Sequence, residues 1–284
     1  MSEQQAQPPV PDPPTGAAPQ AAALGVGVGS AALHAAVSLF TWVPVPAVDL
    51  DRDTARRALL ALPWVGLACG LAAGTVAAVV GLLGGGPLLA AVAGLAALAL
   101  LTGAMHLDGL ADTADGLGSR KPTDQALAVM KASDIGPMGV AALVFVLAFD
   151  AAALTSPHLA GAALPAAVVA MPMVGRVAAL IGTGRWSAPA RPTGFGALFA
   201  GVTTDLALLI SGVAVLAAAA LGGGLALGAR GVAVFMLGAL VAWGVAALWQ
   251  RHLHRRFGGI TGDTLGALIE VSQAAFLLSL ALFL

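Results

Sequence analysis

The stretch LLAAVAGLAALALLTGAMHLDGLADTADG, Leu88 to Gly116, decides the fold. Its first part, to Met105, carries no charge and comes close to the roughly 20 apolar residues that a helix needs to cross a hydrocarbon core. Its last part, His106 to Gly116, carries Asp108, Asp112 and Asp115. The segment therefore reads as a membrane helix that delivers a carboxylate cluster to one face of the bilayer. Comparable apolar runs lie near 22–40, 59–83, 138–156, 160–182, 204–228, 231–249 and 267–284. In lipid their backbone groups can be satisfied only within helices, because the alternation of a barrel strand is absent. The expected fold is all-α, a polytopic transmembrane helical bundle of seven or eight spans, the first run being tilted or re-entrant.

Composition agrees with this reading. The 284 residues are 59% hydrophobic and 10% charged, with mean hydropathy +0.93, too little polar surface for a soluble globule. A net charge of −1 without a basic stripe excludes nucleic acid as a partner. The single cysteine, Cys69, sits in an apolar run and allows neither an intrachain disulfide nor a cysteine metal site. Residues 1–20, rich in Pro, Gln and Ala, read as a disordered tail, and 21–284 as one transmembrane catalytic domain.

Eleven of the thirteen Lys and Arg residues fall in four long connections, near 41–58, 106–137, 183–203 and 250–266. The positive-inside rule places all four in the cytoplasm. Orienting charges alone would need no carboxylates, yet Asp108, Asp112, Asp115, Asp124, Asp134 and Asp263 share these connections with many glycines. One face of the bundle is equipped for chemistry.

On a continuing helix Asp108, Asp112 and Asp115 occupy i, i+4 and i+7, an arc of about 60° at ~100° per residue. Carboxylates about 6 Å apart repel by about 3 kcal/mol per pair at an effective dielectric near 20. A hard divalent ion among them resolves this. Magnesium is favoured over zinc, since no cysteine or second histidine lies at ligand spacing and magnesium commonly bridges a few carboxylates to phosphates. His106 falls on the opposite side of the helix from the three aspartates.

Three further features point to phosphate. Arg176 lies inside an apolar run, where insertion costs at least ~3 kcal/mol, so it should face the interior and pair with a phosphate or a cluster aspartate. Gly259 and Gly262 alternate with Thr261 and Asp263 behind Arg255 and Arg256, a pattern suited to turning backbone N–H groups and guanidinium forks toward an anion. Glu270 sits one turn inside the last apolar run, where a carboxylate is expensive. Lys131 is a point charge suited to a substrate phosphate, on a short helix expected to start near Pro122.

The residues resemble the cobalamin synthase family, the adenosylcobinamide-GDP ribazoletransferases. FTWVPVP (Phe40 to Pro46) is similar to its N-terminal F-x-x-x-P-x-P, and HLDGLADTADG to its most characteristic stretch. VMKASDIGPMG (Val129 to Gly139) resembles its M-K-D-S-R-I-G segment, and RRFGGITGDTLGALIE (Arg255 to Glu270) its G-G-x-T-G-D-x-L-G-A-x-x-E. Ala132 and Asp134 depart from the second pattern, so only Lys131, Ser133 and Gly136 carry over from it. The resemblance implies transfer of adenosylcobinamide-GDP to α-ribazole or its 5′-phosphate, with release of GMP and a requirement for Mg²⁺. In that chemistry Asp108, Asp112 and Asp115 hold the metal, Asp112, Asp115 and Lys131 are catalytic, and Asp115, farthest from the membrane end, takes the attacking hydroxyl's proton. Ser133, Gly136, Arg176, Arg255, Arg256, Gly259, Thr261, Gly262, Asp263 and Glu270 bind substrate. The implied location is the inner membrane with the site facing the cytoplasm. Self-association and contact with other cobalamin-assembly enzymes stay open. The alternatives are a magnesium-dependent phosphotransferase of the CDP-alcohol type, a secondary transporter, which the lack of an internal repeat disfavours, and a non-catalytic scaffold.

Overall fold

The computed structural model describes residues 28–46 and 48–284. The tail expected over residues 1–20 lies outside them, as does the start of the first apolar run. Ten helices follow one another among the described residues: α1 (Val28–Phe40), α2 (Arg52–Leu82), α3 (Gly86–Leu101), α4 (Met105–Gly118), α5 (Thr123–Val129), α6 (Pro137–Leu154), α7 (Ala163–Gly182), α8 (Phe195–Phe199), α9 (Asp205–Phe257) and α10 (Gly262–Phe283). No named strand accompanies them. Two isolated bridges, Gly184 with Thr203 and Pro189 with Ile260, tie loops together.

Five helices are long and apolar enough to cross a membrane, and the pair α3 and α4, bent by 90°, makes a sixth candidate. The 53 residues of α9 would extend about 80 Å, far beyond a ~30 Å core. Gly228, with φ 64° and ψ −152°, breaks it. The two arms fold back on each other so tightly that a Cβ on Gly223 would lie 2.4 Å from the Gly231 carbonyl oxygen. Taken as two crossings, α9 brings the count to seven, with α1 a shorter apolar helix beside them.

Central to the bundle are α7 and α10, buried around most of their circumference. Gly66, Gly70 and Gly74 form a stripe on α2 against α7. A Cβ at Gly70 would come within 2.4 Å of the Val169 carbonyl oxygen, and small residues at this spacing are what permit such close helix contact in lipid. On the other side Phe235 and Phe276 meet edge to face, 5.8 Å apart, between α9 and α10.

All the long connections meet at one end of the bundle. The Arg52 guanidinium donates to the carbonyls of Ala197 (2.9 Å) and Ala200 (2.8 Å). Arg256 donates to Lys121 O at 2.7 Å, and Arg191 to Leu127 O. Ala190 N donates to Ile260 O (3.0 Å), and Ile260 N to Ala188 O (2.8 Å). One correction concerns the last connection. The 250–266 segment, expected as a long loop, is helical through Phe257, so only 258–261 remain between α9 and α10.

Candidate active site at the polar end

The chain leaves α3 through Gly103 and Ala104, both left-handed at φ 59° and 56°, and α4 then runs at right angles to α3. Short and amphipathic, α4 packs along α6 and α10, from His106 beside Asp150 and Glu270 to Asp115 at the start of α6. It buries His106, Gly109, Leu110, Thr113 and Gly116 and presents Asp108 and Asp112 on its other side. The N-terminus of α10 packs on it, where a Cβ on Gly109 would lie 2.7 Å from the Asp263 carbonyl oxygen. Thr261 caps α10 in a reciprocal box with Thr264, and its hydroxyl donates to Asp263 Oδ2 at 3.2 Å.

The carboxylates that gather here are Asp108, Asp112 and Asp263. Partial burial, and then the charges of Asp108, Asp263 and Asp115 in that order, push the Asp112 carboxyl up to about 7. A potential negative enough to hold a carboxyl near neutrality is a potential that favours a cation. Arg191, which the sequence offered only as one cation among those of the long connections, lies close enough for its charge to act on Asp263. Its only sequence signal was isolation in a loop otherwise free of charge between Arg185 and Asp205.

Asp115 departs from the expected trio. Its two oxygens accept the backbone N–H groups of Gly136 (2.7 Å) and Gly139 (2.9 Å), so it caps α6 from outside. A Cβ on either glycine would come within 2.5 Å of one of those oxygens. The motif Ile135-Gly-Pro-Met-Gly139 is thus a receptor for a carboxylate, and Gly136 serves that contact. Among the described residues no three His, Cys, Asp or Glu side chains form a preassembled metal cage. The donor set still suits magnesium, which commonly takes one or two carboxylates and completes its shell with water and substrate phosphate.

Lys131 and Ser133 are exposed and lie beyond the end of α5 at Val129, in the turn before α6, whereas a helical position was expected. The preceding Met130 is buried against Gly116, so this turn overhangs the C-terminal half of α4. Arg256 is engaged by Lys121 O and stacks 5.3 Å from the Phe257 ring centroid. Arg255 is exposed on another side of α9 and lines a separate cleft with Trp186. Gly259 passes so close to residues 188–190 that a Cβ would sit 2.4 Å from Ala188 O; its role here is the loop crossing. Gly262 opens α10 against Phe195.

Two expected substrate ligands belong elsewhere. Arg176 is fully buried, donating to Gln273 Oε1 (3.2 Å) and Pro172 O (3.4 Å), and pairs with no aspartate of the cluster. Glu270 is buried within the bundle with its Oε1 3.9 Å from His106 Nδ1. Asp150, 1% exposed, lines a void of about 20 Å³ with His106 and Glu270. This internal polar cluster ties α4, α6, α7 and α10 together. Its fourth member carried a clear signal, a lone carboxylate in the run VLAFDAAAL.

Comparison with known proteins follows this geometry. The model of the family Cobalamin-5-phosphate synthase matches residues 32–281. An adenosylcobinamide-GDP ribazoletransferase of Frankia casuarinae is 40% identical over 259 residues, covering 87% of this chain and 93% of the relative. One from Klebsiella pneumoniae subsp. pneumoniae is 39% identical, covering 87% and 97%. One from Corynebacterium diphtheriae is 34% identical, covering 84% and 87%. No solved structure matches the chain. A match across nearly the whole described bundle, including every motif that builds the polar end, places the chain in the cobalamin-5-phosphate synthase family.

Proposed function

We propose that the chain is an adenosylcobinamide-GDP ribazoletransferase of the bacterial inner membrane, with its polar end in the cytoplasm. The reading rests on one observation, the convergence of Asp108 and Asp112 from α4 with Asp263 from the start of α10. A hydroxyl of α-ribazole, or of its 5′-phosphate, attacks the phosphorus that bears the cobinamide. The bond from that phosphorus to the bridging oxygen breaks, and GMP leaves with that oxygen. Displacement at phosphorus needs positioning and charge neutralisation above all.

Asp108 and Asp263, on two different helices, would hold magnesium, which when bound supplies neutralisation of the pyrophosphate oxygens and of the leaving phosphate. Asp112 stands between them and takes the proton of the attacking hydroxyl in place of Asp115, whose oxygens are committed to α6. Arg191 restrains Asp263 and adds positive charge at the leaving-group side. Lys131, on the overhanging turn, reaches down as a point charge for phosphate. The dipole of α10 points its positive end into the same space. Eleven cationic side chains around this end satisfy the positive-inside rule.

The test is incubation of the purified full chain with adenosylcobinamide-GDP and α-ribazole 5′-phosphate, with corrin products followed by mass. Product and GMP should form with magnesium and not with a chelator. Asp263→Asn should lower turnover by at least ~100-fold, the size expected for loss of a group that stabilises transition-state charge. Turnover that persists in Asp263→Asn, or in chelator, would overturn the assignment of the site.

A further inference from the structure

A second cavity, of about 700 Å³, opens at the same end between α7 and the two arms of α9. Ile181, Trp186, Leu208, Gln250, Arg251 and Arg255 line it, and none of Asp108, Asp112, Asp263 or Arg191 does. Arg251 and Arg255 are one turn apart on a single face of α9. Both are exposed, and among the described residues no carboxylate lies within 4 Å of either. Such a pair facing a cleft is complementary to a phosphate diester.

Gln250 is 2% exposed. Its amide nitrogen donates to Gly182 O (3.2 Å) and Ser187 Oγ (3.4 Å), while its Oε1 is buried with no partner. That acceptor is turned into the protein toward Gly182, so Gln250 braces the floor of the cleft rather than meeting the occupant. Beside the cleft, Leu209 and Ile210 on the first arm and Leu248 on the second are exposed on surfaces that face lipid. Trp186, 55% exposed, is an amphipathic ring at the level where such rings favour the headgroup region. Basic clefts between helices at the cytoplasmic edge are suited to anionic headgroups.

We propose that this cleft binds an anionic phospholipid, for which phosphatidylglycerol is the probe. Its phosphate lies between Arg251 and Arg255, and its chains follow the apolar flanks of α9. The inference does not depend on the reaction proposed above, since binding is read without turnover.

The full chain is reconstituted in phosphatidylcholine vesicles that contain either brominated phosphatidylglycerol or brominated phosphatidylcholine at equal mole fraction. Brominated phosphatidylglycerol should quench tryptophan fluorescence more strongly, and Trp186→Phe should remove most of that excess. Phosphatidylglycerol carried through detergent purification should fall at least tenfold in Arg251→Gln/Arg255→Gln. Equal quenching by the two lipids, or an excess that survives Trp186→Phe, overturns the proposal. So does displacement of the excess by GMP, which would make the cleft a nucleotide subsite.

Discussion

Asp112 and Asp115 sit three residues apart on α4 and answer to opposite forces. Around Asp112 burial and then the neighbouring carboxylates raise the cost of its own charge, whereas both oxygens of Asp115 are taken up by backbone N–H donors. Neutralising them should therefore have opposite effects. In magnesium-free detergent solution Asp112→Asn should raise the unfolding temperature, because a like-charge cluster has been relieved, and should reduce the increment that magnesium gives the wild type, since one of the charges that attract the ion is gone. Asp115→Asn replaces an acceptor by an amide that cannot satisfy both glycine N–H groups. It should cost about 1–3 kcal/mol, read as a lower unfolding temperature, with the magnesium increment retained. The same unfolding scans with and without magnesium check both, and a magnesium increment lost in Asp115→Asn but kept in Asp112→Asn would reverse the two roles. The sequence carried the existence of the cluster, because helical spacing is a local property. It could not separate Asp115 from its neighbours, since the partners that claim it are backbone groups of Gly136 and Gly139, which have no side chain to read. It marked Asp263 as a substrate ligand at the same polar face but could not set it beside Asp108, which depends on two helices meeting at Gly109 and Gly266.

Helices α4, α7 and α10 are joined at depth by the buried set of His106, Arg176, Glu270 and Gln273, with Asp150 from α6. Several of its polar atoms lack a partner, among them Arg176 Nε and Nη2, His106 Nε2 and Asp150 Oδ1. A void of about 20 Å³ lined by Thr102, His106, Asp150 and Glu270 is the size of one water, which would supply some of these bonds. Removing one charge from such a set leaves the opposite charge buried without compensation, at about 3–5 kcal/mol. Glu270→Ala should thus destabilise strongly, measured by thermal unfolding in detergent, while Glu270→Gln, which keeps a hydrogen-bonding end, should recover part of the loss. If Glu270→Ala unfolds at the wild-type temperature, the cluster does not hold these helices together. The sequence identified Arg176 and Glu270 as costly groups but assigned them to substrate, because polarity inside an apolar run signals a partner without saying which. Element ends were harder still: α9 runs on to Phe257 because Trp249, Leu253 and Phe257 continue an apolar stripe between charged residues that hydropathy alone reads as loop.

At the level of the whole molecule, the seven crossings follow from counting α9 twice, and that count fixes which segments share a side. From α2 onward the chain alternates, with α3 and α4 together as one bent crossing, so that residues 119–136, 183–204 and 258–261 fall at one end and residues 83–85, 155–162 and the Gly228 turn at the other. The charge distribution supports the proposed cytoplasmic placement of the first end, since Arg120, Lys121, Lys131, Arg185, Arg191 and the arginines ending α9 lie there and Arg230 lies near the second. The single native cysteine, Cys69, is buried, so a Cys69→Ser background reports cleanly on introduced thiols. In intact cells with the outer barrier opened, a membrane-impermeant maleimide should label Gly161→Cys, which sits in an open turn with nothing within 4 Å of its Cβ position. Ser133→Cys, exposed beside the aspartates, should stay unlabelled until the inner membrane is permeabilised. The reverse pattern would put the carboxylates outside the cell, away from cytoplasmic nucleotide substrates. Labelling of both sites in intact cells would mean that α6, the one candidate span between residues 133 and 161, does not separate them across the membrane.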